Sequence, residues 1–115
     1  MSAEGKTTIA PEVLLTIARL SCLKVDGVSR MAKVNKPING LLSKSIKDGV
    51  QIEVEDDTVF VDLYVILKSD VNVREVSRTI QQEVTRAISE MVGMQVGRVN
   101  IHIEDIDFPQ NSPEM

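Results

Sequence analysis

The chain has 115 residues, of which 43% are apolar and 3% aromatic, with one cysteine and a net charge of −4. That length fits one domain with one core, burying roughly two-thirds of the surface the unfolded chain would expose. A lone cysteine excludes an internal disulfide, three aromatics offer no platform for stacking bases, and no apolar run approaches the ~20 residues of a membrane-spanning helix.

Residues 1–5 read as a flexible start without the apolar stretch of a secretory signal, so a reducing compartment, the cytoplasm, is expected. Lys6–Ile9 reads as a short strand. Ala10-Pro11-Glu12 then opens a helix to about Lys24, because Pro at the first helical position loses no needed N–H and Glu12 faces the positive end of the dipole. The apolar residues of this helix, from Val13 to Leu23, cover more than one stripe, which leaves a second face for a partner. Val25-Asp26-Gly27-Val28 ends it.

Ser29–Lys47 has no clear period, with a short helix expected over Leu41–Lys47. Val50, Ile52 and Val54 alternate with Gln51, Glu53 and Glu55 as a half-buried strand, and Asp56-Asp57 supplies a turn. A two-residue loop there pairs Val54 with Val59, Ile52 with Val61 and Val50 with Leu63. The second strand, Thr58–Lys68, carries Phe60, Tyr64 and Ile66 on its other face, as expected of a central strand covered on both sides. Asp62 interrupts it, and an edge-facing or arginine-paired carboxylate is expected.

Val73, Val76, Ile80, Val84, Ala87, Ile88 and Met91 step by three and four, predicting one amphipathic helix that Gly93 stops. Its polar face sets Glu75 with Arg78, Glu83 with Arg86 and Arg86 with Glu90 at ion-pair spacings, which describes a solvated surface rather than a catalytic row. Val99, Ile101 and Ile103 alternate with Asn100, His102 and Glu104 as a last strand, and 109–115 is a flexible tail. The expected fold is a small single α+β domain over 6–108, order β-α-(irregular)-β-β-α-β, with two main helices on a mostly antiparallel sheet.

No spacing of nucleophile, base and orienting group stands out, so no catalytic residue is assigned. Cys22 lies near the end of an apolar helix and reads as core, and His102 as a surface residue. One Cys and one His cannot build a transition-metal site, Glu53, Glu55, Asp56 and Asp57 lack calcium-loop spacing, and no glycine pattern cradles a nucleotide. No cofactor is expected. The charge is uneven: residues 1–50 hold eight Lys/Arg against four Asp/Glu, and residues 51–115 hold five against thirteen. Arg30, Lys33, Lys36, Lys44 and Lys47 fall within eighteen residues free of Asp and Glu. This candidate basic patch suits phosphates or an acidic protein, and a solvated loop fits it equally.

The ordered set I-A-P-E-V from Ile9, D-G-V from Asp26, V-F-V-D-L-Y-V from Val59, the helix holding V-S-R-T-I-Q-Q-E-V from Val76, and V-G-R-V-N-I-H-I from Val96 resembles the bacterial alkaline shock protein family of envelope stress response proteins. Many relatives carry a Gly-rich stretch where Ser29–Lys47 stands, and Tyr-Gly at Lys68-Ser69. The resemblance implies a non-enzymatic cytoplasmic interaction or scaffold protein concerned with cell-envelope homeostasis. It implies a homo-oligomer held at the inner face of the membrane by an integral membrane protein, with no small-molecule substrate and no catalytic residues. The rival is a small RNA-binding module working through Arg30 to Lys47, against which stand the missing G-x-x-G clamp and aromatic pair.

Overall fold

The computed structural model describes residues 3–33 and 44–109. Its first helix, α1 (Pro11–Leu23), starts after the extended backbone of Ala10, with Pro11 in the first turn and Glu12 at the positive dipole end. One face buries Leu14, Leu15, Ile17, Ala18 and Cys22, while Val13, Leu20 and Leu23 remain exposed. Each fully buried aliphatic side chain of this kind contributes about 1.5–3 kcal/mol. The expected Lys6–Ile9 strand is not formed. With Lys6, Thr7 and Thr8 exposed, the segment has a single apolar anchor, Ile9, which packs on the core without joining the sheet.

After α1 come β1 (Val28–Met31), β2 (Lys44–Lys47), β3 (Val50–Glu55), β4 (Thr58–Lys68), α2 (Val73–Val92) and β5 (Gln95–Asp107). The segment expected to be irregular therefore contributes two strands. Lys44–Lys47 is strand where a helix was expected over Leu41–Lys47, because the following Asp48-Gly49 adopts φ of 53 and 79 and closes a tight antiparallel turn onto β3. Residues 1–2, 34–43 and 110–115 lie outside the described residues; with them go Lys36, the first three residues of that expected helix and most of the two expected flexible ends.

β4 is the axis of the sheet. Along one edge it pairs antiparallel with β3 over its first half and with β1 over its second, and β2 lies beyond β3. The hairpin register is the expected one, with Val54 facing Val59, Ile52 facing Val61 and Val50 facing Leu63. Along the other edge β5 runs parallel to β4 for its whole length. A parallel neighbour requires a crossover, which α2 supplies. Asn72 caps α2 by accepting from Glu75 N at 3.0 Å, and Gly93 at φ 72 ends it.

Both helices cover one face, where α1, α2 and the alternate residues Val50, Ile52, Val59, Val61, Leu63, Val65 and Leu67 form the main core. On the second face of β4, Tyr64 and Ile66 are buried with Ala32 toward its end. Phe60 and Asp62 there are half-buried. β5 extends beyond the expected Val99–Glu104 in both directions and contains two extra residues, Gly97 and Glu104, where the ladder skips between Val96 and Arg98 and between Ile103 and Asp105.

Candidate interaction surfaces

Three surfaces gather the polar and exposed apolar groups. On the open sheet face, Asp62 of β4 meets Asn100 and His102 of β5. His102 Nε2 lies 2.9 Å from Asp62 Oδ1, and Asn100 Nδ2 donates to the same oxygen at 3.1 Å. The imidazole also stacks on Tyr64, with centroids 4.4 Å apart and planes 12° from parallel. Arg98 extends the row, its guanidinium 5.0 Å from the centre of the Phe60 ring. Burial, then the Asp62 and Glu104 carboxylates, pushes the Tyr64 phenol up. Asp62 is thus paired with a histidine and an asparagine, neither edge-facing nor bound to an arginine as expected.

A carboxylate holding an imidazole is half of an acid–base device. The other half would be a nucleophile, and Cys22 is on the opposite side of the sheet. Its thiol is fully buried, and burial pushes it up to about 12, so it carries no thiolate at neutral pH. Among the described residues no group of three His, Cys, Asp or Glu side chains can hold a metal ion.

The second surface lies between the helices. Ile17, Leu20 and Leu23 of α1 face Ala87 and Met91 of α2 across a groove of about 480 Å³. Leu20 is 49% and Met91 69% exposed, which is high for side chains of this size beside a core. Both helices can spare these positions because their buried faces are complete without them.

The third surface is the basic segment, two of whose described members are paired with carboxylates. Arg30 on β1 binds Asp107 at the end of β5, with Nε 3.0 Å from Oδ2 and Nη2 3.1 Å from Oδ1. Lys47 Nζ lies 2.6 Å from Glu12 Oε2 at the start of α1. Hydrogen bonding to those carboxylates raises both cations, and the same bonds lower Glu12 and Asp107. Lys33 is exposed just after β1, and Lys44 begins β2. The neutralising carboxylates come from residue 12 and residue 107, far outside the eighteen-residue run, so counting charge along the chain misses them. On α2 the expected Glu83–Arg86 pair is present at 2.7 Å.

Among the described residues no helix is long and apolar enough to cross a membrane. The profile of the alkaline shock protein 23 family, with a cell envelope-related function, matches residues 1–108. The uncharacterized protein YqhY of Bacillus subtilis is 29% identical over 115 residues, which cover 96% of this chain and 84% of that one. The uncharacterized protein Spy1535 of Streptococcus pyogenes is 36% identical over 104 residues, 89% of this chain and 79% of that one. Two solved variants of MamM-CTD share the fold: one has a TM-score of 0.54 at 10% identity, covering 85% of this chain and all of that one, and the other 0.52 at 9%.

Proposed function

Because the chain belongs to the alkaline shock protein 23 family, whose function is cell envelope-related, we propose that it is a non-enzymatic cytoplasmic scaffold of envelope homeostasis that works by contact. It associates with copies of itself and with a membrane-linked partner, which holds it at the inner face of the membrane. The groove between α1 and α2 carries this reading. Leu20 and Met91 are large apolar side chains left half or more exposed next to a finished core, which suits a surface that a partner covers. The family description is of a cell envelope-related function, and Cys22 is buried in the core on the other face of the sheet from the Asp62–His102 pair.

Against the rival RNA reading, two of the five basic residues, Arg30 and Lys47, are bonded to carboxylates. The test is recovery from the membrane fraction of cells, together with light scattering of the purified chain over a wide concentration range. Leu20→Asp combined with Met91→Lys should fold normally, because both positions are exposed, and should lose membrane recovery. A monomer at every concentration that is absent from the membrane fraction would defeat the proposal.

A further inference from the structure

The sheet ends in a strand with one free edge. Tyr64 donates its N–H to Gly49 O and accepts from Ala32 N, both at 2.8 Å, on the β3/β1 side of β4. By strand alternation Val61, Leu63 and Val65 direct their backbone groups toward β5. They stand opposite Val99, Ile101 and Ile103, whose own N–H and C=O groups must then point away from β4. The Gln81 side chain agrees, since its Nε2 reaches down from α2 and donates to Val99 O at 3.0 Å. Across the two bulges the outward set continues to Val96 and Ile106, which face Val59 and Leu67. Among the described residues β5 has no strand partner except β4.

The five outward residues are therefore 96, 99, 101, 103 and 106, and their spacing reads the same in both directions from Ile101. The bulges at Gly97 and Glu104 produce that symmetry. A strand whose outward groups form a palindrome is complementary to itself when reversed. Ile101 then stands opposite the partner's Ile101, Val99 opposite the partner's Ile103, and Val96 opposite the partner's Ile106. Gly97-Arg98 meets the partner's Glu104 and the partner's Asp105. Apolar meets apolar at every outward position, and a cation meets two carboxylates at each end.

Resting on the self-association reading above, we propose that β5 pairs antiparallel with β5 of a second copy about a two-fold axis at Ile101, joining two sheets into one. Each directly opposed outward pair exchanges two N–H···O bonds, and a C2 contact of this kind uses the same strand on both chains. The side chains involved are apolar and, apart from the buried Val99, half-exposed in the single chain, so pairing covers them further. Within the β5 span there is no proline, and its free edge is long, the feature that makes strands associate. Two outward groups already have local partners: Val99 O takes Gln81, and Ile106 N donates to Asp105 Oδ1 at 2.8 Å. Both partners are exposed side chains that can move aside for a backbone ladder.

Charge reversal tests the register. Arg98, Glu104 and Asp105 are all exposed, so Arg98→Glu and the double variant Glu104→Lys with Asp105→Lys should fold, which circular dichroism verifies. Light scattering should show a dimer for the unchanged chain and a monomer for each variant alone at the same concentration. An equimolar mixture of the two variants should restore a dimer containing one chain of each, identified by native mass spectrometry. Amide exchange gives a second readout, with the Ile101 and Ile103 N–H groups protected at high concentration and exposed on dilution. If both variants associate as the unchanged chain does and those amides stay unprotected, edge pairing is overturned while self-association stands. An unchanged chain that is monomeric throughout overturns both.

Discussion

Asp62 and His102 meet diagonally across the parallel ladder: His102 stands opposite Tyr64, yet its Nε2 lies 2.9 Å from Asp62 Oδ1, two residues back. The same imidazole lies flat on the Tyr64 ring, so one side chain ties two positions of β4 to β5. Since both partners keep partial solvent access, the bond should be worth an ordinary amount. In a double-mutant cycle of Asp62→Ala and His102→Ala, denaturant unfolding should give a coupling of about 1 kcal/mol. Additive effects would mean that the contact is not made in solution.

Gly49 occupies a place that no side chain fits. Its φ is 79, and a Cβ there would come within 2.7 Å of Ala32 O and 2.9 Å of Tyr64 O, where β1, β3 and β4 converge. Gly49→Ala should lower stability by about 1–3 kcal/mol, seen as an earlier melting transition. Gly93 also has positive φ, but nothing stands within 4 Å of its would-be Cβ. Gly93→Ala should therefore cost less than Gly49→Ala, and the reverse order would contradict the close approach at Gly49.

The difference between what the sequence disclosed and what it hid follows from bulges and distance. The β3–β4 register was legible because Glu53 and Glu55 alternate with valine and isoleucine up to a two-residue turn, and α2 because its apolar steps of three and four have no exception. β5 is longer than its alternation predicts because Gly97 and Glu104 shift the period, so that Val96 and Ile106 fall out of phase with Val99 to Ile103. β1 is only four residues long, too few for a period to show. A signal for β2 did exist in Asp48-Gly49, a hairpin dipeptide. The open-face cluster was half visible, since Asp62 and His102 each stood out as polar positions on strands. Their meeting depends on the register of a parallel pair joined through α2, which no local pattern specifies. Arg30 and Asp107 are 77 residues apart, and nothing near either announces the other.

Cys22 should make the protein sensitive to strong alkali in a way a substitution can remove. Burial raises its thiol from 9.0 to about 12, so the folded chain binds this proton more tightly than the unfolded chain. The resulting stabilisation is complete below about pH 9 and is lost as the pH climbs toward 12. Over that window unfolding free energy should fall by up to about 1.4 kcal/mol per pH unit from this group. Cys22→Ala lowers stability at neutral pH by leaving a small cavity, and it should flatten this part of the alkaline profile. Thiol labelling of the unchanged native chain should be as slow as its opening. Fast labelling, or an alkaline slope unaffected by the substitution, would show that Cys22 is accessible.

Asp107 closes β5 onto β1 and has the opposite sign. Its carboxylate accepts from Arg30 and from Ser29 Oγ at 2.6 Å, and these bonds hold it below the usual carboxylate range. A depressed folded value means that the bonds stabilise the chain above the ordinary carboxylate pKa and fail as pH falls through the lowered one. Acidification should therefore release the end of β5 before the core opens, because Val99 and its core neighbours have no such dependence. The Asp107 N–H, which points toward β4, should lose protection relative to its intrinsic exchange rate on acidification of the unchanged chain. Asp107→Asn should show that lower protection already at neutral pH, with little further change on acidification. Ser29→Ala, which keeps the arginine, should fall between the two. Equal acid responses in the unchanged chain and in Asp107→Asn would mean that this tether does not hold the strand.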